Sequence, residues 1–205
     1  MESAAPLITR LMESDETLKS RRGSLVTDDK TIYDELIAPL EATMMRSIWQ
    51  VVRNADLAED CLQDALAVVW KKRFQIRLHP NPRALILKIC LNAACDSLRR
   101  LERMRRQTDL SRLDNAPAPT GHNADRDLEE REIEEQVQQA IRRLPRKRAL
   151  AVMMRLINEE SFEAIAHALD CSEITARIHI SRGRAQLRKW LAPMHRSSRQ
   201  EVNNE

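Results

Sequence analysis

Residues Ser161–Lys189 limit the possible fold of this chain more than any other stretch. Phe162, Ile165, Ala166 and Leu169 recur at helical spacing, so one side of a short helix is apolar. Ser161 stands just before them, where a side-chain oxygen can take up orphan backbone N–H groups. Asp170-Cys171 interrupts the pattern, and Ser172 can cap a second helix. In that helix Ala176, Ile180, Gly183 and Leu187 form an apolar stripe, and Arg177, Ser181, Arg182, Arg184 and Arg188 project opposite it. Two capped helices, a tight turn and a basic outer side on the second make a helix-turn-helix. The major groove of DNA is wide enough for one α-helix, so these basic and hydroxyl groups would reach phosphates and base edges. An ordinary helical hairpin with a solvated arginine side is the competing reading. Agreement of caps, stripes and charge polarity favours DNA.

The remainder of the 205 residues is also helical in pattern. Glycine is scarce (3 residues), 32% of residues are charged, and no β-branched run alternates at period two long enough for a strand. Residues 1–28 have no sustained period and read as a flexible tail, with at most a helical turn around Leu7–Leu11. A helix begins near Thr31, with Ile32, Leu36, Ile37, Leu40, Met44, Ile48 and Val52 facing the core and Pro39 able to split it. Asn54-Ala-Asp56 restarts the pattern, and Glu59 follows Asp56 as in a capping box. Ala58, Cys61, Leu62, Ala65 and Val69 form the buried stripe of this helix, and Asp60, Gln63, Asp64 and Ala67 line its other side. That acidic-polar ridge is open to three readings: solvated surface, divalent-cation site, or docking surface for a basic partner.

Phe74–Asn81 breaks the pattern as a rigid loop, and Pro82 suits the first position of the next helix, Pro82–Arg106. Leu87, Leu91, Ala94, Leu98 and Leu101 are its core side. Lys88, Asn92, Cys95, Arg99, Arg103 and Arg106 fall one above another elsewhere, a basic stripe suited to a nucleic-acid backbone. Residues 107–127, with Pro117, Pro119 and Gly121, read as a linker dividing the chain into two helical domains, 29–106 and 128–194, followed by a tail at 195–205. The fold class is thus all-α: two small helical domains joined by a flexible linker, the C-terminal one a helix-turn-helix. Cys61, Cys90, Cys95 and Cys171 have no metal-ligand spacing and read as buried thiols of a reducing cytoplasm; His167 and Cys171 have no second pair with which to share a metal. No segment approaches the roughly 20 apolar residues of a membrane span, and the acidic N-terminus is no signal peptide.

With both domains in view, the chain resembles an extracytoplasmic-function sigma factor of bacterial RNA polymerase. Asp56–Asp64 through Trp70 is similar to one family helix, and Leu144-Pro145, Ser161–Ala166 and Ile180–Leu187 are similar to the family's C-terminal domain. The resemblance implies that Asp60, Gln63 and Asp64 dock on a coiled coil of the polymerase β′ subunit, with β a further contact of the core enzyme. It implies that the −10 element meets Phe74, Gln75, Arg77, His79 and Asn81 of the loop, and Lys88, Asn92 and Arg99 of the helix after it. Arg177, His179, Ser181, Arg182 and Arg184 fall on the side that reads the −35 element. Promoter DNA, core polymerase and an anti-sigma factor are the implied partners, with no cofactor and no catalysis of its own. The chain departs from the family at Leu85, where a Trp is usual, and at Ile174 and Ile178, where a glycine and a small residue are common. A stand-alone helix-turn-helix regulator is the alternative. A metal-dependent nuclease built on Asp56, Glu59, Asp60 and Asp64 lacks a converging second set of ligands.

Overall fold

A computed structural model describes residues 25–111 and 124–192, and all regular structure among them is helical. Helix α1 spans Leu25–Ile32, so residues 25–28 are helical where the sequence suggested tail. A π turn (Tyr33–Ile37) and a 3-10 turn (Ala38–Leu40) follow before α2, Glu41–Val52. The split falls at Pro39, which lacks an N–H and whose ring crowds the carbonyl four residues back. Arg53 leaves α2 in the left-handed region, φ 51°.

Helix α3 spans Ala55–Lys71. Its cap is Asn54, whose Oδ1 accepts the Leu57 N–H at 2.8 Å, rather than an Asp56–Glu59 capping box, because Asp56 already lies in the first turn. The expected 74–81 loop is shorter: Arg73–Arg77 forms α4, and only residues 78–81 are non-helical. Helix α5 runs from Pro82 to Ser111, five residues past the expected Arg106. Asn81 Oδ1 caps it by accepting the Ala84 N–H at 2.9 Å. Helix α6 (Ala124–Arg143) starts ahead of Leu128 and stops before Pro145, which begins the turn into α7, Arg146–Leu156. The expected linker is therefore helical at both ends, and its middle lies outside the described residues, as do residues 1–24 and 193–205 of the expected tails.

Helices α8 (Phe162–Leu169) and α9 (Glu173–Leu191) complete the chain. Ser161 Oγ accepts the Ala164 N–H at 3.1 Å and Ser172 Oγ the Thr175 N–H at 3.2 Å, so both serines cap as their positions suggest. Asp170 turns the corner with φ 50°, a left-handed conformation that Asp tolerates better than most side chains.

Helices α2, α3 and α5 pack together as one body, and α7, α8 and α9 as another. The two are not apart. Helix α5 also packs on α6, α7 and α8, and one contiguous set of buried residues runs from Ile37 through Leu91 and Met154 to Ile180. Each fully buried aliphatic side chain contributes about 1.5–3 kcal/mol, so this shared core favours a compact chain. Four expected placements fail, the first being Leu101, which is exposed at 36% rather than on the core side of α5. Cys95 is buried rather than on the basic stripe of α5, and Leu156 and Ile133 are exposed rather than in the core.

Candidate nucleic-acid interface

Helix α9 is held by a close approach to α7. A Cβ at Gly183 would sit 2.5 Å from Val152 Cγ2, so only glycine lets the helices meet at this distance. Ala176, Ile180 and Gly183 are buried there, and Arg177, Ser181, Arg182, Arg184 and Arg188 are all exposed on the other side. Ile174, 71% exposed, and Ile178 stand among them, apolar residues that the charge pattern did not single out. Arg177 is already engaged: Glu173 accepts its Nε–H at 3.1 Å, and its guanidinium lies 4.1 Å from the Phe162 ring centroid, with Arg155 5.0 Å away on the same ring. His179 is half-buried. Burial lowers its pKa, and Arg148, Lys147 and Arg182 lower it further, which favours a neutral imidazole at pH 7.

The residues expected to face a −10 element divide into an exposed set and a covered set. Phe74, Gln75 and Arg77 are exposed on α4, and Leu78 beside them is 86% exposed. Arg73 anchors this corner: its Nε donates to Asp29 Oδ1 at 2.6 Å, and its guanidinium lies over both Trp70 and Phe74. His79 turns toward the other body, with Nε2 3.3 Å from the His167 carbonyl oxygen and Nδ1 accepting the Asn81 N–H at 3.0 Å. Asn81 is occupied as the cap of α5.

Lys88, Asn92 and Arg99 lie under the second body. Asn92 Oδ1 accepts from Arg146 Nε at 2.7 Å, and Arg146 Nη2 also meets Asp96 Oδ2 at 2.7 Å. Arg99 Nη2 reaches the Leu144 carbonyl at 3.5 Å. Burial lowers the Lys88 pKa, and the charges of Lys72, Arg146 and Lys147, the last two from α7, lower it further. More contacts tie the bodies: Arg83–Glu160 at 3.2 Å, Asn158 Nδ2 to Ser47 Oγ at 2.5 Å, and Gln138 Nε2 to the Val52 carbonyl at 2.9 Å. Ser47 and Glu160 are the buried polar residues of the core. None of these pairings has a signal in the sequence, because the partners stand 54, 77, 111 and 86 residues apart in their separate helical patterns.

Asp60, Gln63 and Asp64 are exposed on α3 as a ridge. Asp60 also borders a groove of about 360 Å³ shared with Gln138 and Arg142 of α6. No grouping of three or more His, Cys, Asp or Glu able to hold a metal occurs among the described residues. Burial raises the thiol pKa values of Cys61, Cys90 and Cys95, the last to about 11, so these are unreactive core groups. No described helix is long and apolar enough to cross a membrane.

Residues 134–187 match the sigma-70 region 4 family, covering the end of α6, all of α7 and α8, and most of α9. Over 193 residues the chain is 28% identical to the RNA polymerase sigma-H factor of Pseudomonas aeruginosa, spanning 91% of this chain and 98% of that protein. A solved structure of the sigma factor RpoE with the anti-sigma factor NepR, from Bartonella quintana, aligns with a TM-score of 0.49 and 19% identity, covering 78% of this chain and 96% of that one. The match to sigma-70 region 4 thus falls on the segment where both helix caps are in place, within a chain that is similar to an RNA polymerase sigma factor almost throughout its length.

Proposed function

We propose that the chain brings core RNA polymerase to promoters through three separate surfaces. Arg177, His179, Ser181, Arg182 and Arg184 of α9 read the −35 duplex. Phe74, Gln75, Arg77, His79, Asn81, Lys88, Asn92 and Arg99 hold the −10 element, and Asp60, Gln63 and Asp64 dock on the polymerase. The observation that carries this reading is the polarity of α9: five exposed polar or basic side chains opposite a seam so tight that it needs Gly183. A helix so presented fits the major groove, where guanidinium groups bond guanine edges or phosphates.

Opening the −10 element requires bases to leave the stack, which costs a few kcal/mol each and is offset by stacking and by a pocket. Phe74 offers a ring edge beside Arg73, and Leu78 offers the most exposed apolar surface of the 78–81 loop. Promoter opening by Lys88, Asn92 and Arg99 first needs α7 to leave α5, because Arg146 and Leu144 bond there. Separating the bodies on the polymerase is therefore part of the mechanism. The chain performs no bond chemistry itself; polymerase makes the RNA. An anti-sigma factor that covers these surfaces, and a cytoplasmic location, follow from the same reading, as does a division at 29–106 and 128–194 with a linker at 107–127.

Transcription with purified core polymerase on a template bearing two unlike elements tests the proposal. Asp60→Arg with Asp64→Arg should abolish co-purification with polymerase and all initiation. Full polymerase binding by that variant would overturn the docking assignment.

A further inference from the structure

Where the end of α5 meets α6 and the start of α7, a cleft of about 540 Å³ opens. Six guanidinium groups line it: Arg99, Arg100 and Arg103 from α5, Arg142 and Arg143 from α6, and Arg146 from α7. Only two carboxylates share the cleft, and both are already in use. Asp96 meets Arg146 at 2.7 Å and Arg99 at 3.7 Å, and Glu102 meets Arg142 at 3.6 Å. Arg100 and Arg143 have no carboxylate partner among the described residues, and Arg103 Nε donates only to the Arg99 carbonyl at 3.4 Å. Among the described residues, six guanidinium groups and two carboxylates leave four positive charges of the cleft uncompensated.

A basic helix side in open water would be unremarkable, since water screens its charges. These charges are not all in open water. The side chains of Arg142 and Arg99, which pair with Glu102 and Asp96, are 12% and 28% exposed, and Arg100, Arg103, Arg143 and Arg146 crowd around them at the exposed rim. Like charges drawn together where solvent is partly removed repel more strongly than at a free surface. A bound anion relieves that repulsion. Guanidinium forks also pair bidentately with phosphate oxygens, which an isolated chloride cannot match. The volume falls within the ordinary range for small-molecule sites.

We infer that this cleft binds a small polyphosphate, either an inorganic chain or the phosphates of a nucleotide, and that the bound anion holds the two helical bodies together. The groups come from both bodies, so the anion binds only while they are closed, and by linkage it favours the closed arrangement. It competes with promoter DNA, because Arg99 belongs to both sites. The inference goes beyond the promoter reading: the anion site stands on the cleft's geometry, and the competition with DNA alone rests on that reading.

Calorimetric titration of the full chain with sodium tripolyphosphate, at fixed ionic strength, tests it. The expected result is one saturable site, at least tenfold tighter than for orthophosphate, and weakened at least tenfold by Arg100→Ala with Arg143→Ala. Neither residue bonds across the bodies, so the variant stays folded; an unchanged circular dichroism melt checks this. Dyes on α3 and α9 should stay close together to higher urea when tripolyphosphate is present, because the anion binds only the closed chain. Parallel titrations with ATP and GTP distinguish the sources: affinity equal to that of tripolyphosphate identifies the phosphates alone, and tighter binding identifies a nucleotide. No saturable binding at fixed ionic strength, or equal binding by the double variant, overturns the inference. Co-purification with polymerase is a separate readout, so its outcome cannot be mistaken for failure of the anion site.

Discussion

Helices α5 and α9 both carry a basic face suited to DNA, yet only one is open. On α9, Ser181, Arg182 and Arg184 face solvent, and Arg177 is exposed though tied to Glu173 within its own body. On α5, Asn92 and Arg99 bond to α6–α7 residues across the chain, and Lys88 is half-buried beside the charges of Arg146 and Lys147. The open face is anchored by core contacts of its own domain, through Gly183 and Val152. The covered face is closed by packing of α5 on α7 and α8 and by polar bonds that are mostly part-exposed and individually weak. One face is ready for DNA, and the other is released when the bodies part.

The largest effect should come from the anchor of the open face. Gly183→Val forces two β-branched side chains together and should cost about 3 kcal/mol of stability, the upper range for overpacking, read by urea unfolding. A variant as stable as the parent would show that α9 is not held as described. Next, Arg182→Ala should lower −35-dependent initiation by about 1–3 kcal/mol in equivalent free energy if it reads a base. A uniform loss over all promoters would instead make it a phosphate contact. Smaller again, Arg146→Glu places a carboxylate against Asp96 and removes the bond to Asn92, and should shift the closed–open balance by about 1 kcal/mol, roughly fivefold. X-ray scattering should then show a larger radius of gyration, and no change would break the contrast between the two faces. The smallest effect concerns His179, whose pKa lies below 6.5. With its folded pKa lowered, the unfolded chain takes up the proton first, so stability falls as pH drops below about 6.5 and is unaffected by this group above it. An NMR titration of the ring that showed a midpoint at or above 6.5 would contradict the crowding by Arg148, Lys147 and Arg182.

The open face was legible in the residues. Ser161 and Ser172 announce both caps, and Ala176, Ile180 and Gly183 recur on one side, because local hydrogen bonds and helical periodicity are properties of short segments. The covered face was not. Lys88, Asn92 and Arg99 look solvent-bound when read along α5 alone, since nothing in one helix encodes which distant helix lies upon it. The same limit hid Asn158 against Ser47 and Arg83 against Glu160. Two misreadings were local. The apolar pattern of residues 74–77 is too short to separate loop from helix, and Asn54 outcompeted Asp56 as a cap because it stands one residue outside the first turn. Cys95 is small and weakly polar, so its position between core and stripe left its burial ambiguous in sequence.

The distance between Glu59 on α3 and Arg188 on α9, both exposed, tests the central claim most directly when measured with paired labels in the free chain and on core polymerase. The account predicts one short, narrow distribution for the free chain and a longer one in the complex. A broad distribution in the free chain, or the same short distance on polymerase, would contradict it.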